Sequence, residues 1–546
     1  MGEAARKPKP VVLAILDGWG LSPTWRGNAI SFSNPPIMDQ LWRSYPHLVL
    51  QAFQPPEQTA RHQIGSSDIG HAMIGSGRQI RSDLEEIDEA IASGLFQKNP
   101  TLLDAFRAAV QKKRPLHLIG LMSDGGIHSD LATLRALLIL AKDLQVARVW
   151  LHLITDGRDV APNSATHYLQ VITALTQEIG IGTIASLIGR YFAMDRDEHW
   201  DRTASAYKLW TTGLGQPFGS PLEALKAAYS QGITDEFVRP SVILGQAGSA
   251  RIDDEDVVIV WNARADRLKQ LTQAFVDPGA LRPFLVRQGK LRRLTKFVTL
   301  VSPHLPVTLP VEVAFPPARI PTTLPQVLSG RGLRQLRAAE SEKYAHISYY
   351  FGGGREEPYP QEERLIVPSP AVAQPAEQPG MATPSLVKRF CERLTREPFD
   401  FAVINIANVD LVGHSGNLFA TVAAVQIADR AVGELAETVL RLDGTLLITS
   451  DHGNAEQMIY RPGEPDRTHT IHPVPFIFVA RQYKFDLVRQ ANIAPAGGLA
   501  DLLRARSTLA DIAPTILDMF SIPVPVEMTG QSLLTRLTKE TEEKEL

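Results

Sequence analysis

The chain has 546 residues, of which 44% are hydrophobic and 21% are charged, and its net charge at pH 7 is −3. This length exceeds what one hydrophobic core usually holds, so we expect a soluble globular protein of several domains. The charge balance argues against a nucleic-acid partner. A single cysteine, Cys391, excludes an intrachain disulfide and a cysteine-based metal cluster.

The basic N-terminus MGEAARKPKP precedes an apolar run, VVLAIL, that ends at Asp17. This run is too short for the core of a signal peptide and far too short to span a bilayer. No other segment approaches the apolar length that a membrane span needs. We therefore expect a cytoplasmic protein without a membrane partner.

Short apolar runs recur along the chain, and amphipathic patterns of helical period lie between them. Continuous apolar runs are typical of strands buried on both faces. Strands that alternate with helices predict an α/β protein with mainly parallel sheets. The predicted strands are 11–17, 116–124, 149–156, 257–263, 401–408, 445–451 and 474–480, and helices are predicted at 131–144 and 418–442.

Several predicted strands end on a carboxylate, namely Asp17, Asp124, Asp156 and Asp451. Ligands of α/β proteins bind beyond the carboxyl ends of such strands. Between the first two lies IGSSDIGHAMIG, which we interpret as a loop of small residues with two adjacent serines. Serine, glycine and aspartate are also ordinary turn residues. Whether Ser66 or Ser67 is a nucleophile therefore depends on partners elsewhere.

The C-terminal third contains three fragments that pair aspartate with histidine or carry two histidines. Asp410 and His414 share one face if their segment is helical. The other fragments are Asp451–His452 and His469–His472, both beside predicted strands. Oxygen and imidazole donors without thiolate indicate Mn²⁺, Mg²⁺ or Zn²⁺ in a catalytic site. A serine hydroxyl bound to such an ion becomes a nucleophile.

The middle of the chain has arginines near predicted strand ends. The planar guanidinium suits phosphate and carboxylate groups, although a single arginine is more often an ordinary surface residue. Arg264 and Arg267 are three apart and could share a helix face. The set is Arg158, Arg190, Arg196, Arg264 and Arg267.

Ten motifs follow one another in an order that resembles the cofactor-independent phosphoglycerate mutases of the alkaline phosphatase superfamily. The resemblance extends from about Val11 to Leu534. The motifs are DGWG (17–20), GNA (27–29), GSSDIGH (65–71), SDGGIHSD (123–130), DGRD (156–159), GRYFAMDRDEHWDR (189–202), ARADR (263–267), ESEKYAHISYYFGGGREEP (340–358), NVDLVGHSGN (408–417) and SDHGNAEQ (450–457).

The resemblance implies an alkaline-phosphatase-like metal domain with an inserted second α/β domain. It implies a phosphoserine enzyme with Ser67 as the nucleophile and two divalent ions, usually Mn²⁺, with Mg²⁺, Co²⁺ or Zn²⁺ possible and no organic cofactor. The implied ligands of one ion are Asp17, Ser67, Asp451 and His452, and those of the other are Asp410, His414 and His469. We interpret His472 as structural, because the family usually has a non-ligand there.

The resemblance further implies that the five arginines, with His128 and Asp159, hold the phosphoglycerate. Asp159 would also move a proton on the glycerate hydroxyl, and Lys343 would lie near the phosphoserine. The sequence departs from the family pattern at Ser66, Asp68, Asp130, Ala263 and Ala265.

The positions of the implied ligands predict a domain insertion. Metal ligands occur at 17 and 67 and then only after 409, whereas the arginines lie between 158 and 267. We therefore expect a discontinuous phosphotransfer domain, 1–81 with 316–546, and a substrate-binding domain, 82–315. A closing cleft between domains would exclude water during transfer.

The expected reaction is the interconversion of 3-phosphoglycerate and 2-phosphoglycerate in glycolysis and gluconeogenesis, by a monomer and without 2,3-bisphosphoglycerate. One alternative is a phosphatase, sulfatase or phosphopentomutase of the same superfamily. The arginine-bearing segment argues against it. The other is a non-catalytic metal-binding relative, which the complete set of ligands disfavours.

Overall fold

The computed structural model describes residues 10–53, 65–244, 250–285, 292–303, 305–306, 308–317, 320–372, 374–461, 464–485 and 507–537. Residues 1–9 of the basic N-terminus lie outside these ranges. The strands are β1 Val11–Leu16, β2 His47–Leu50, β3 Leu116–Leu121, β4 Val149–Thr155, β5 Thr183–Gly189, β6 Gln216–Phe218, β7 Ser241–Ile243, β8 Val257–Val260, β9 Lys296–Thr299, β10 Glu312–Val313, β11 Gln335–Glu340, β12 Glu362–Val367, β13 Phe401–Ile406, β14 Thr445–Thr449, β15 Ile459–Arg461, β16 Glu464–Pro465 and β17 Val474–Val479.

Helices separate most of these strands along the chain. They are α1 Ala29–Ser33, α2 Pro36–Ser44, α3 Ser67–Ser76, α4 Asp83–Ala92, α5 Pro100–Lys112, α6 Leu131–Asp143, α7 Ala165–Ile179, α8 Arg190–Ala193, α9 Trp200–Thr212, α10 Pro221–Ser230, α11 Ala265–Val276, α12 Arg282–Leu285, α13 Leu324–Gly330, α14 Thr383–Arg396, α15 Asn408–Gly413, α16 Leu418–Arg441 and α17 Ile512–Met519. Within the described ranges, no helix is long and apolar enough to cross a membrane.

The chain divides into two compact units. Unit 1 comprises residues 1–80 and 318–546, and unit 2 comprises residues 81–317. These bounds lie one or two residues from those used in the sequence analysis. The roles assigned there to the two segments are not decided by the division and remain predictions.

Unit 1 is built on a mixed sheet whose described strands run in the order β12-β11-β13-β1-β14-β17-β2. The first five are parallel, and β17 is antiparallel to both β14 and β2. Strand β1 is apolar throughout because it lies at the centre of the sheet, where both faces are covered. Val12, Ala14 and Leu16 pack into the core on one face, while Val11, Leu13 and Ile15 pack into the core on the other.

Unit 2 has its own sheet, with described strands in the order β10-β9-β8-β3-β4-β5-β7-β6. All neighbours are parallel except β5 and β7, which are antiparallel. Helices cover the sheet, and their apolar residues form a single large core with those of the central strands. The α/β class and the predominance of parallel pairing are therefore confirmed.

Each of the seven apolar runs forms a strand, and both predicted helices are present as α6 and α16. The segment interpreted as a loop of small residues was predicted wrongly, because residues 67–76 form helix α3. Its glycines and serines have low helix propensity, but the helix is buried over most of its length. Tertiary packing, which small residues allow at close range, outweighs the local preference.

Candidate active site

Three neighbouring strands of unit 1 bring the aspartates of the predicted site together. Asp17 follows β1, Asp451 follows β14 by two residues, and Asp410 lies in α15 directly after β13. Because β13, β1 and β14 are adjacent and parallel, their carboxyl ends meet at one edge of the sheet. The topology of the sheet therefore gathers residues that are far apart in the sequence.

Ser67 faces the first group of predicted ligands. Its Oγ is 2.7 Å from His452 Nε2 and 3.4 Å from Asp17 Oδ1. His452 Nε2 is in turn 3.3 Å from Asp17 Oδ1 and 3.5 Å from Asp451 Oδ2. All four residues are buried. The structure thus brings Asp17, Ser67, Asp451 and His452 into one cluster.

The second group adjoins the first. His469 Nε2 is 3.1 Å from Asp410 Oδ1 and 3.0 Å from His414 Nε2, and the latter atom is 3.5 Å from the same carboxylate oxygen. The rings of His452 and His469 stack with centroids 3.7 Å apart. His414 is the C-cap of α15 and keeps a helical backbone conformation, so its four-residue spacing from Asp410 does place both side chains on one face.

The donor set fits divalent cations. Ligand atoms of Asp17, Asp451 and His452 lie within 4.8 Å of one another, and so do those of Asp410, His452 and His469. Both carboxylate oxygens of Asp451 are buried without a hydrogen bond in the described part of the chain. His71 Nδ1 is 3.2 Å from Oδ2, but it is closer to the Ser67 carbonyl, at 2.9 Å. A buried carboxylate is stable only when it is paired, and a cation would pair it.

Protonation of the imidazoles also bears on cation binding. Burial, reinforced by the nearby His452, lowers the pKa of His469 to about 4, so this ring is neutral at pH 7. For His452, burial lowers the pKa, but Asp451 and Asp17 outweigh it and raise the pKa to about 9. A cation bound at His452 would therefore displace a proton.

Lys343 lies between the two groups on a short 3₁₀ turn that follows β11. Its ammonium is 2.8 Å from Ser67 Oγ, 2.9 Å from Asp410 Oδ2 and 3.0 Å from Asp17 Oδ2. Burial opposes its charge, but the carboxylates of Asp17 and Asp410 hold its pKa well above the ordinary value. A permanent positive charge therefore contacts the candidate nucleophile.

Helix α3 begins at Ser67, and its N-cap Ser66 makes no capping hydrogen bond through its side chain. The free N–H groups and the dipole at a helix N-terminus favour a negative charge there. Gly70 lets this helix approach the loop after β14, since a Cβ at this position would lie 2.6 Å from the Asp451 carbonyl oxygen. The helix thus presents Ser67 to the ligands at a distance that a larger residue would prevent.

The predicted substrate residues lie in unit 2, where His128, Asp159 and Arg190 contact one another. His128 Nδ1 is 2.6 Å from Asp159 Oδ2, and Arg190 Nη1 is 2.8 Å from Asp159 Oδ1 and 2.6 Å from Asp156 Oδ1. Burial, with a smaller effect of Arg190, lowers the pKa of His128 to about 4. Burial would raise the pKa of Asp159, but His128 and Arg190 hold it well below its usual value.

The remaining arginines are more exposed. Arg196 Nη1 and Arg264 Nε contact opposite oxygens of Asp266, at 2.8 Å and 2.9 Å. Arg267 Nη1 donates to the Met194 carbonyl at 2.9 Å. Arg264 is the N-cap of α11 and has an extended backbone conformation. It therefore does not share a helix face with Arg267, although the three-residue spacing allowed this.

Arg158 is half exposed, and its nearest carboxylate is that of Glu236, at 3.8 Å. Burial, with Arg196, lowers the pKa of Arg267 to about 10, which leaves it charged at pH 7. Unit 2 therefore offers several guanidinium groups that an anion can reach.

Comparison with known proteins shows which family the chain resembles. The family "BPG-independent PGAM N-terminus" matches residues 87–302. Over 530 residues the chain is 43% identical to the 2,3-bisphosphoglycerate-independent phosphoglycerate mutase of Moorella thermoacetica, covering 97% of this chain and 99% of that protein. The chain belongs to the 2,3-bisphosphoglycerate-independent phosphoglycerate mutase family. The enzyme of the same name from Thermomicrobium roseum is 42% identical and covers 97% of this chain and 98% of that protein.

A solved structure shows the same fold. The crystal structure of Leishmania mexicana phosphoglycerate mutase at low cobalt concentration superposes with a TM-score of 0.73, covering 97% of this chain and 98% of that one at 24% identity. The two-sheet α/β architecture of this phosphoglycerate mutase family member is therefore shared with an experimental structure.

Sequence reasoning assigned no role to several polar residues around the predicted ligands of this mutase family member. Asn405 donates to Asp17 Oδ2 at 2.9 Å and is 3.1 Å from His71 Nε2. Asn454 donates to Asp410 Oδ1 at 3.1 Å. Asn405 could have been noticed in the sequence, because it is a polar residue within the apolar run FAVINIAN.

The positions that depart from the mutase pattern also have defined surroundings. Asp68 Oδ1 is 2.9 Å from His346 Nε2, and Asp130 is the N-cap of α6, where it accepts the Ala132 N–H at 2.6 Å. Ala263 is buried, and Ala265 begins α11. His472 lies beside Glu456, with Nδ1 2.9 Å from Oε1.

Proposed function

We propose that the chain is a phosphoglycerate mutase that interconverts 3-phosphoglycerate and 2-phosphoglycerate without 2,3-bisphosphoglycerate. The observation that carries this proposal is the placement of Ser67 Oγ, 2.7 Å from His452 and 2.8 Å from Lys343 beside the aspartates of the cluster. Identity of 43% over 97% of the chain to a protein of that name supports it.

Ser67 is the proposed nucleophile. In the first half of the reaction a bond forms between Ser67 Oγ and the phosphorus of 3-phosphoglycerate, and the bond between phosphorus and O3 breaks. The serine loses its proton and O3 gains one. In the second half a bond forms between phosphorus and O2 of the retained glycerate, and the bond between phosphorus and Ser67 Oγ breaks. The 2-hydroxyl loses its proton, and Ser67 Oγ gains one.

Two features of unit 1 would stabilise the charge that develops on the phosphoryl group. The Lys343 ammonium, already in contact with Ser67 Oγ, would donate to an equatorial oxygen. The N-terminus of α3 supplies free backbone N–H groups next to the same atom. Fixed donors directed at developing charge lower the barrier more than they strengthen substrate binding.

We assign two divalent cations to the cluster, one held by Asp17, Ser67, Asp451 and His452 and the other by Asp410, His414 and His469. Mn²⁺ is the proposed metal, with Mg²⁺, Co²⁺ or Zn²⁺ as alternatives. When bound, such cations neutralise phosphoryl oxygens and lower the pKa of a coordinated hydroxyl. The buried carboxylate of Asp451, whose oxygens have only imidazole neighbours at 3.2 Å and 3.5 Å and no hydrogen bond in the described part of the chain, supports this assignment.

The arginines of unit 2 are assigned to the phosphoglycerate. Arg158, Arg190, Arg196, Arg264 and Arg267 would bind its phosphate and carboxylate through charged hydrogen bonds. Asp159, held by Arg190 and His128, would accept and return the proton of the glycerate hydroxyls. Accordingly, we assign phosphotransfer to unit 1 and substrate binding to unit 2.

We further propose that the enzyme acts as a monomer in the cytoplasm, in glycolysis and gluconeogenesis. Size-exclusion chromatography with light scattering would test the monomer, since a dimer would appear at twice the chain mass of 60.0 kDa.

The proposed activity is tested by ³¹P NMR of 3-phosphoglycerate incubated with the Mn²⁺-loaded enzyme in the absence of 2,3-bisphosphoglycerate. We expect the signal of 2-phosphoglycerate to grow to equilibrium without inorganic phosphate. Growth of inorganic phosphate instead would favour the phosphatase alternative. An unchanged 3-phosphoglycerate signal with each of Mn²⁺, Mg²⁺ and Co²⁺ would contradict both the mutase and the phosphatase activity.

A further inference from the structure

Glu456 lies four residues beyond His452, and its side chain is completely buried. Its carboxylate accepts four hydrogen bonds. Oε2 accepts the backbone N–H of Gly20 at 3.1 Å and that of Asn454 at 2.8 Å. Oε1 accepts the Thr470 hydroxyl and lies 2.9 Å from His472 Nδ1. Four donors match the full acceptor capacity of an ionised carboxylate.

These four donors come from the three loops that carry predicted metal ligands. Gly20 is three residues after Asp17, and Asn454 is two residues after His452. Thr470 is the residue after His469. One carboxylate therefore joins loops whose ligand side chains belong to both groups of the cluster.

The space around the Glu456 carboxylate is closely filled. A Cβ added to Gly20 would overlap the carboxylate itself, and one added to Gly453 would overlap both Glu456 Oε1 and the Thr470 hydroxyl. The loops can approach the carboxylate only because glycine occupies these two positions. Small shifts of the Glu456 side chain would therefore displace the loop backbones directly.

We propose that Glu456 is a positioning residue that fixes the three ligand-bearing loops, and through them the affinity of the cluster for divalent cations. The proposal rests on the metal site assigned under the proposed function. In the described part of the chain, the hydrogen bonds of Glu456 go to Gly20, Asn454, Thr470 and His472, and none goes to a predicted ligand atom. Its effect passes through the backbone of the Asp17 and His452 loops and through the Thr470 side chain next to His469.

The charge and shape of the carboxylate are both needed for this role. In Glu456→Gln one acceptor oxygen becomes an NH₂ donor, which would face two donors, either the Gly20 and Asn454 N–H groups or Thr470 and His472. The variant has nearly the same volume, so it changes hydrogen bonding without creating a cavity. Buried donors left without an acceptor are costly, and the loops would move apart to satisfy them.

The test compares Mn²⁺ binding to the wild type and to E456Q by isothermal titration calorimetry, without substrate. We expect the dissociation constant to rise about 10- to 100-fold, the range typical for loss of an outer-shell partner. The electron paramagnetic resonance spectrum of the bound Mn²⁺ should also broaden, because the ligand geometry becomes less uniform. A purely structural role would change neither readout.

Asp429 provides a matched control in unit 1. It is also a buried carboxylate and accepts two backbone N–H groups, those of Ile37 at 3.1 Å and Met38 at 2.8 Å. These donors belong to α2, which carries none of the predicted ligands. We expect D429N to lower the free energy of unfolding but to leave the Mn²⁺ dissociation constant unchanged.

A second variant, Thr470→Val, keeps the proposal testable if E456Q does not fold. It removes one hydrogen bond to Glu456, next to His469, and we expect a smaller increase in the dissociation constant, in the same direction. Equal Mn²⁺ affinity of the wild type and the variants, or equal weakening by D429N, would overturn the proposal. Because no substrate is present, a wild type that binds Mn²⁺ but fails to isomerise 3-phosphoglycerate would contradict the proposed function alone.

Discussion

Two adjacent serines lie at the start of helix α3, Ser66 as its N-cap and Ser67 as its first residue, and they have different contacts. Ser67 Oγ contacts His452 and Lys343, whereas the side chain of Ser66, the N-cap residue, makes no capping hydrogen bond. We expect Ser67→Ala to lower kcat by about 10⁴-fold or more, since removal of a nucleophile abolishes the covalent route.

Intact-protein mass spectrometry after incubation with substrate should detect a phosphorylated species for the wild type and none for S67A. Ser66→Ala is the matched control and should retain both the phosphorylated species and kcat. A phosphorylated S67A protein, or inactive S66A, would contradict the assignment.

Lys343 supplies the positive charge in contact with Ser67 and two aspartates. Lys343→Met keeps most of the side-chain volume but removes this charge. We expect kcat to fall about 10²- to 10³-fold, as for loss of one preorganised donor to the transition state, with a smaller change in KM. The control is Lys388→Met on α14, where the lysine is exposed. An increase in KM with an unchanged kcat would show that Lys343 acts on substrate binding instead.

At the scale of single elements, Gly70 sets the distance between α3 and the loop after β14. A Cβ there would lie 2.6 Å from the Asp451 carbonyl oxygen and 2.8 Å from its Cβ. We expect Gly70→Ala to lower the free energy of unfolding by about 1–3 kcal/mol and to weaken Mn²⁺ binding, because Ser67 and Asp451 move apart.

Urea unfolding and calorimetric titration with Mn²⁺ would measure these two effects. Gly330→Ala, at the end of α13, is the control, since a Cβ there meets no atom within 4 Å. We expect that variant to be neutral or slightly stabilised. A G70A protein as stable as G330A would show that α3 tolerates the displacement.

The elements that the sequence predicted correctly are those with one dominant signal. β1, β13 and β14 are apolar at nearly every position because both faces of the sheet are covered. β11 was missed because Gln335, Arg337 and Glu340 interrupt its pattern, although all three are buried. Arg337 is paired across the sheet with Glu362, at 2.8 Å, and no local pattern reveals such a partner.

The candidate site shows the same limit. Asp17 and Asp451 were indicated by their place at strand ends, and Asp410 with His414 by helical spacing. Lys343 came only from family resemblance, since a lone lysine in a polar segment has no distinguishing pattern. Asn405 and Glu456 were not assigned roles because their partners are distant in the sequence. Asn405 contacts Asp17, 388 residues away, and Glu456 contacts Gly20, 436 residues away.

At the scale of the whole molecule, we expect unit 2 to respond to pH and unit 1 to respond to divalent cations. Unit 2 contains a buried chain of polar groups in which His117 Nδ1 is 3.0 Å from His152 Nε2, His117 Nε2 is 3.1 Å from Asp256, and His152 Nδ1 is 2.9 Å from Ser186. Burial lowers the pKa of His117, despite Asp256. Burial and then His117 lower the pKa of His152 well below its usual value.

These lowered pKa values predict a loss of stability in mild acid. Below about pH 6.5 the unfolded chain binds protons at these histidines that the folded unit does not, so the free energy of unfolding falls as pH decreases, by up to about 1.4 kcal/mol per pH unit for each histidine. Urea midpoints between pH 8 and pH 5 would measure the slope. His152→Gln should flatten it relative to the control His167→Gln, at an exposed position; equal slopes would contradict the prediction.

Unit 1 should respond to cations. Because all the assigned ligands belong to unit 1, we expect Mn²⁺ to slow amide hydrogen exchange in residues 17–20 and 451–456 by up to about 100-fold at a concentration 100 times the dissociation constant. Amides of β3 and β4 in unit 2 are the internal reference and should exchange at unchanged rates. Equal protection in both units, or none in unit 1, would contradict the assigned ligands.

The position of β1 between β13 and β14 has a consequence for biosynthesis. This apolar strand is translated well before its hydrogen-bonding neighbours, which lie in residues 401–449. At about 5–20 residues per second this delay is on the order of tens of seconds. Meanwhile the uninterrupted stretch 81–317 can complete its own core. We therefore expect the nascent chain to carry this apolar strand without its sheet neighbours until β13 and β14 have been synthesised.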